Sequence, residues 1–397
     1  MVLLEALIAL IVSVIVYWSL RTTRARLALI LACSLIFIFF FGSLYAFYAL
    51  LNTLAVYWAG KIIARRPSSK KLALQMAVIW LLGNLCFLKY SAALLKASSL
   101  IPVIPKVKEL GLLLPIGFSY IIFRLVHYIA EVYKGKIVNT SFLDLSAYVL
   151  FFPTFLCGPI ERFPVFYEQS RQPREIGAQI PHLNYSLFRI ALGLVKKAFI
   201  ADSIARVVMP VLISAQAHSR IAVILSVYGL MLRVYMDFSG YTDMALGVAG
   251  LFGYRIVENF NKPFLQKNIA MFWRSWHISL YTWIRDYFFL PIFGYAASPG
   301  KIYIGILASM LVFHLWHGLS LNFLGAAIYN SAGIFLWMAF RFAKKKVPAL
   351  NRMQGNAFSG VLALLATFSF VSLGSVFLMF DMGGCLAVFA RIFTWRA

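Results

Sequence analysis

The run Lys301-Ile-Tyr-Ile-Gly-Ile-Leu-Ala-Ser-Met-Leu-Val-Phe-His314-Leu-Trp-His317-Gly318 decides how this chain is read. No charged side chain stands between Lys301 and His314, so the segment suits hydrocarbon, where a span takes about 20 apolar residues. Sixteen residues separate Lys301 from His317, about 24 Å along a helix. That places an imidazole deep in a membrane or near its far side, where polar side chains are expensive and usually functional. Gly318 follows at once and removes bulk beside the ring.

The same texture extends along the chain. Hydrophobic residues make up 62% of the 397 and charged residues only 13%, against about half and about a quarter in soluble domains. The apolar runs are solid instead of alternating, which excludes a transmembrane barrel. They fall near residues 2–19, 27–42, 44–62, 72–94, 111–131, 185–213, 220–238, 240–253, 302–319, 321–340, 357–380 and 383–395. The expectation is an all-α polytopic membrane protein of about eleven transmembrane helices, with re-entrant or interfacial helices beside them. The first run lacks a basic leader and a small-residue cleavage site, so it reads as an uncleaved helix.

A net charge of +24 would suit nucleic acid if it lay on one soluble face. Here the cations sit between apolar runs: Arg21, Arg24 and Arg26; Lys61, Arg65, Arg66, Lys70 and Lys71; Lys134, Lys136 and the stretch Arg162–Arg174; and Lys344, Lys345 and Lys346. That is the pattern of cytoplasmic loops, and it places the N-terminus outside. It implies contact with membrane lipids and no nucleic acid. The four cysteines, Cys33, Cys86, Cys157 and Cys385, are scattered through apolar sequence without metal-ligand spacing.

Three stretches break the pattern. Residues 142–160 are apolar but contain Pro153 and Gly158-Pro159, so a broken or re-entrant helix is expected there. The prolines of Ile101-Pro-Val-Ile-Pro105 mark a linker. Residues 271–290 place Trp273, Trp276, His277, Leu280, Trp283, Ile284 and Tyr287 at helical spacing, with Ser275, Ser279, Thr282 and Asp286 on another face, as in an interfacial amphipathic helix.

Candidate chemistry gathers on imidazoles. A neutral His317 could accept a proton from an alcohol, or it could be a core histidine bonded to a carbonyl. His277 could orient substrate, or it could be the polar tip of the interfacial helix. His314 shares a helix face with His317, yet neighbouring carboxylate or thiolate ligands for a metal are missing, so no metal is expected. Arg233 stands one turn before Asp237 as its expected ion partner. Gly240 is expected to break the helix between Asp237 and Asp243 and so open a cavity. Arg285 and Asp286, adjacent in sequence, are expected to face different partners. His127, His182 and His218 carry no distinctive surroundings. There is no Gly-x-Ser-x-Gly elbow, phosphate loop or His-Glu-x-x-His, which removes serine-nucleophile, ATP-hydrolysing and zinc-protease chemistry from consideration.

Five stretches in order carry a resemblance: Leu114-Pro-Ile-Gly-Phe-Ser-Tyr; Phe151-Phe-Pro with Gly158-Pro-Ile-Glu-Arg162; Met236-Asp-Phe-Ser-Gly-Tyr-Thr-Asp-Met-Ala; Phe272-Trp-Arg-Ser-Trp-His-Ile-Ser-Leu; and Leu315-Trp-His-Gly318. Together they resemble the membrane-bound O-acyltransferase family in its bacterial cell-envelope branch. Alginate-type O-acetyltransferases are similar through the Trp-His-Ile-Ser-Leu block and Thr367-Phe-Ser-Phe-Val. D-alanyl transferases of teichoic acid are similar through length and Glu258-Asn-Phe-Asn-Lys-Pro-Phe-Leu. His314 stands where the family pattern carries a small or aliphatic residue.

The resemblance implies one domain over residues 1–397, with N-terminal helices to 131, a catalytic core to 320 and C-terminal helices beyond, enclosing a central tunnel. It implies that His317 is the catalytic histidine and His277 the second polar residue at the site. Trp316, Trp276, Arg285, Asp286, Asp237, Tyr241 and Asp243 are the expected substrate contacts. The implied activity is acyl transfer, acetyl first and D-alanyl as the alternative, from a cytoplasmic thioester on coenzyme A or an acyl carrier protein to a hydroxyl of a cell-envelope glycan. No bound cofactor is expected, and an extracytoplasmic partner acyltransferase would fit. The expected location is the bacterial inner membrane. A secondary transporter or flippase using the same buried charges is the rival class, and a scaffold for envelope-polymer assembly the third.

Overall fold

A computed structural model of the chain describes residues 2–97, 117–138, 140–172, 176–296, 298–346 and 357–394. Among these the only β pairing is one isolated antiparallel bridge, Phe260 with Trp276; the rest is helix and connection. The linker Ile101–Pro105 and the start of the Leu114 stretch lie outside the described residues.

The helices follow the apolar runs. They are α1 (Val2–Ser19), α2 (Thr23–Phe39), α3 (Ser43–Arg65), α4 (Lys70–Ala97), α5 (Phe118–Tyr133), α6 (Phe142–Val149), α7 (Phe163–Arg171), α8 (Ile176–Leu194), α9 (Asp202–Ile213), α10 (Arg220–Leu251), α11 (Ile269–Ser275), α12 (Ile278–Ile284), α13 (Leu290–Phe293), α14 (Pro299–Leu315), α15 (Leu321–Lys346), α16 (Ala357–Met379) and α17 (Met382–Phe393). Five described helices are long and apolar enough to cross a bilayer: Ser43–Arg65, Pro67–Phe87, Arg220–Leu251, Leu321–Lys346 and Ala357–Met379. Shorter apolar helices cover Leu7–Ser19, Phe142–Thr154, Pro299–Leu315 and Met382–Phe393. Large apolar side chains such as Phe40, Ile79, Val207, Ile213 and Leu336 point outward. Such surface belongs in lipid. The chain is an all-α, multi-pass membrane protein.

The contacts divide into two compact units, residues 1–191 with 242–257 and residues 192–241 with 258–397. In the first, residues 142–160 are broken as the prolines require. α6 stops at Val149, and Phe152–Thr154 forms a separate short turn. Breaking a helix in an apolar setting frees carbonyls that need donors. The buried Arg124 of α5 supplies them, donating to the carbonyls of Val149 and Thr154, both at 2.9 Å, and to that of Tyr148 at 3.3 Å. Nearby, Glu161 accepts from the backbone amides of Arg162 at 2.7 Å and Val257 at 2.9 Å. Burial still pushes its carboxyl pKa upward. His127 is the acceptor for the Phe163 amide at 2.9 Å, a structural duty.

In the second unit, α15 and α16 run antiparallel. Asn322 donates to the Phe377 carbonyl at 2.9 Å at one end, and Tyr329 to the Phe370 carbonyl at 2.8 Å further along. The turn before α15, which holds His317, and the end of α16 therefore share one end of this pair. Lys344, Lys345 and Lys346 close α15 at the other.

The structure corrects the expected break at Gly240: α10 is one helix from Arg220 to Leu251. A Cβ at Gly240 would stand 2.8 Å from the Gly193 carbonyl oxygen and 3.0 Å from Lys196 Cβ. The glycine is there for a close approach of backbone, and the helix passes through it intact.

Candidate active site

α14 ends in a tightened turn. The Trp316 amide donates to the Val312 carbonyl at 3.3 Å, but the His317 and Gly318 amides reach back only three residues, to His314 at 3.0 Å and Leu315 at 3.1 Å. This change of pitch turns the two histidines apart. His314 faces inward and is 1% exposed, whereas His317 is exposed. The His317 ring lies 4.1 Å from the Trp316 ring and 5.5 Å from Phe323, stacked on the latter at 24°. Two aromatic faces thus hold an accessible imidazole. A Cβ at Gly318 would meet the Phe323 ring at 3.2 Å, so the glycine lets Phe323 come in beside His317.

Inward, Asn330 of α15 donates its amide toward Nε2 of His314 at 3.3 Å and also to the Ala326 carbonyl at 2.9 Å. An amide donor at Nε2 fixes the tautomer with the proton on Nδ1. His314 meets the Trp273 ring edge-on at 5.8 Å.

Residues 271–290 do not form the single interfacial helix that their spacing suggests. α11 ends at Ser275, and His277 adopts a left-handed backbone with φ 47° before α12 begins. A residue with a Cβ is strained there by about 1–2 kcal/mol, so neighbouring contacts must enforce it. They come from residues 259–261. The Asn261 amide donates to the Ser275 carbonyl and the Ile278 amide to the Asn259 carbonyl, both at 3.0 Å, around the Phe260–Trp276 bridge. Asn259, fully buried, uses Oδ1 to accept the Ser279 hydroxyl at 2.7 Å and lies 3.4 Å from Nδ1 of His277. The expected polar face fails with the helix, because Ser275 and Ser279 are buried alongside Trp273, Trp276 and Trp283.

His277 itself is 4% exposed, edge-on to Phe238 at 4.8 Å and Phe313 at 6.1 Å. It lies between two short helices outside the long spans, and burial drives its pKa down to about 3. The ring is therefore neutral at ordinary pH. Phe313 also packs against the His314 ring at 5.4 Å, so it stands between His277 and His314.

The remaining expected site residues each have partners of their own. Trp276 is buried, stacked on Phe272 at 5.5 Å. Asp237 pairs with Lys197, which a π-turn at Val195–Ala201 presents, and not with Arg233. Arg233 reaches away to Met379 Sδ at 3.0 Å. Arg285 and Asp286, expected to serve separate partners, bind one another at 2.7 Å in a second π-turn, and that carboxylate raises the guanidinium pKa. Tyr241 is half-buried on α10. Asp243 belongs to the first unit, where Arg189 pairs with it. Sequence reasoning missed Asn259, Asn330 and Lys197 as positioning groups. The Glu258-Asn-Phe-Asn-Lys-Pro signature contained the first; the other two carried no local signal.

A family model described as MBOAT, membrane-bound O-acyltransferase family, matches residues 12–380. The chain belongs to this family. It is 32% identical to a protein named probable alginate O-acetylase AlgI from Pseudomonas aeruginosa, over 72% of this chain and 55% of that protein. It is 31% identical to the teichoic acid D-alanyltransferase of Bacillus subtilis, over 65% of this chain and 67% of the relative. It is 28% identical to the peptidoglycan O-acetyltransferase of Helicobacter pylori, over 80% and 64%. The chain spans about half the length of the alginate O-acetylase relatives it matches, 46% for the Azotobacter vinelandii protein and 55% for that of Pseudomonas aeruginosa.

Proposed function

We propose that this chain transfers an acyl group, acetyl by preference, from a cytoplasmic thioester to a hydroxyl of an extracytoplasmic cell-envelope polysaccharide, working in the bacterial inner membrane. The observation that carries the reading is the exposed His317, held between Trp316 and Phe323 at the end of a membrane helix in a member of this family.

In this mechanism His317 accepts the proton of the acceptor hydroxyl as its oxygen attacks the thioester carbonyl. The tetrahedral intermediate collapses with cleavage of the carbon–sulfur bond, and the imidazolium returns its proton to the departing thiolate. A positioned base contributes about 10²–10⁴-fold. Holding donor and acceptor end to end contributes more. Trp316 orients the base by ring contact. Buried His277 packs on Phe238 and Phe313 and so positions the Trp276–Ser279 segment. Coenzyme A phosphates or an acidic carrier would meet the basic cytoplasmic loops.

Purified protein in liposomes, given labelled acetyl thioester and envelope polysaccharide, tests this. His317→Ala should abolish labelled product while the protein keeps its melting temperature. Undiminished product from that variant would end the proposal. The teichoic acid D-alanyltransferase match favours D-alanyl as the second reading, and the mass added to the polymer separates the two.

A further inference from the structure

His314 takes no part in the proton transfer assigned to His317, yet it ties the histidine turn to the next helix. Its ring is 1% exposed near the end of α14, and Asn330 on α15 is buried opposite it. One amide hydrogen of Asn330 goes to Nε2 of His314 at 3.3 Å and the other to the Ala326 carbonyl at 2.9 Å. The second bond fixes the amide, since turned over it would set its own oxygen against that carbonyl. Among the described residues Nδ1 of His314 has no hydrogen-bond partner, and the ring packs on Trp273 at 5.8 Å and Phe313 at 5.4 Å. Asn330 is thus the one polar tether of a buried imidazole. An aliphatic side chain would fill the same place without leaving a donor unpaired. What the imidazole adds is a directional link between α14 and α15.

Both helices hold His317. The α14 side does so through backbone, because the His317 amide donates to the His314 carbonyl at 3.0 Å. The α15 side does so through a ring, because Phe323 in the first turn of α15 stacks on His317 at 5.5 Å and 24°. Asn330 follows Phe323 by seven residues, about 10 Å along the helix. The two helices therefore meet His317 at one level and are cross-linked at the next. If α15 turns or slides against α14, Phe323 leaves the face of the imidazole. Apolar packing tolerates a small slip, whereas a hydrogen bond weakens steeply with distance and angle. A misplacement of about 1 Å can cost about 10²-fold in rate.

We propose that His314 is a positioning residue: through its bond to Asn330 it sets Phe323 against the His317 ring and so holds the base for attack. The inference rests on the acyltransfer reading for naming His317 the base, but the placement of that ring is measurable without turnover.

The test uses the full chain in liposomes, with labelled acetyl thioester and envelope polysaccharide. In parallel, the rate at which diethyl pyrocarbonate modifies His317 is read from peptide mass. His314→Leu and Asn330→Leu should each lower kcat about tenfold or more with donor KM unchanged. The double variant should lose no more than either single one, because both remove the same bond. His317, less firmly stacked, should react with the reagent about twofold or more faster in all three. A glutamine at position 314 puts its carbonyl oxygen where Nε2 stood, and an asparagine puts its own where Nδ1 stood. His314→Gln should therefore recover most of the rate and the slow modification, and His314→Asn neither. If the leucine variants fail to accumulate, that pair decides alone. Losses that multiply in the double variant, equal behaviour of the glutamine and asparagine variants, or a kcat that merely follows melting temperature across the set overturns the proposal. If His317→Ala still transfers acetyl, the acyltransfer reading falls, while the modification rates still decide whether His314 positions that ring.

Discussion

The Ser279 hydroxyl donates to Oδ1 of Asn259 at 2.7 Å, and the same oxygen lies 3.3 Å from the Ser279 amide. One side chain from a loop therefore holds the start of α12 and, through it, the left-handed His277. Asn259→Ala leaves buried donors without a partner, a loss of about 1–3 kcal/mol. The expected outcome is a lower melting temperature in detergent together with a fall in transfer rate, with little change in donor KM. Asn259→Asp, which keeps an accepting oxygen but places a carboxylate in a fully buried site beside a neutral imidazole, should not recover the stability.

Gly240 and Gly83 make a matched pair. A Cβ at Gly240 would press on the Gly193 carbonyl at 2.8 Å, while one at Gly83 meets nothing within 4 Å. Gly240→Ala should destabilise, because backbone must move. Gly83→Ala should be neutral or stabilise by about 0.5–1 kcal/mol through helix propensity. Thermal unfolding of the two variants side by side checks the contrast, and equal shifts would contradict it.

Arg124 supports a different kind of expectation. Its guanidinium donates to the Tyr148, Val149 and Thr154 carbonyls where α6 gives way. Arg124→Leu removes every one of those donors from a buried site, at a cost of several kcal/mol by the measure of about 1–3 per unsatisfied group. The protein should fail to accumulate in the membrane, or should elute aggregated on size exclusion. Normal yield and a normal melting temperature would mean that water or other donors serve those carbonyls.

These cases mark what the sequence could and could not disclose. Solid apolar runs and interposed cations made the helical membrane architecture legible, and the prolines of residues 142–160 announced the break that the structure contains. The Trp-His-Gly turn singled out His317, which the structure exposes beside Trp316 and Phe323. Gly240 misled because a glycine serves equally for breaking a helix and for close packing, and only the neighbouring segment at Gly193 decides between them. The Trp273–Tyr287 spacing misled because helical periodicity in the sequence continues across a two-residue interruption, extended at Trp276 and left-handed at His277, which the Asn259 clamp enforces from outside the window. Asp237 found Lys197 and not Arg233 because a π-turn forty positions away aims that lysine, a partner no local pattern encodes.

The neutral His277 gives an expectation with a definite sign. In the unfolded chain an imidazole takes its proton near 6.5; in the folded chain burial delays this to about 3. Between those values the unfolded state binds more protons, so stability rises with pH. The contribution of the neutral ring is complete above about 6.5 and drains as pH falls, at about 1.4 kcal/mol per unit for one group. His277→Asn removes the titration but keeps a polar side chain in a residue type that tolerates the left-handed backbone. Wild type should therefore be the more stable at pH 7.5, and the gap in melting temperature should narrow steadily toward pH 4.5. A gap that stays constant or widens on acidification would show that the ring is charged, or reaches solvent, in the folded protein.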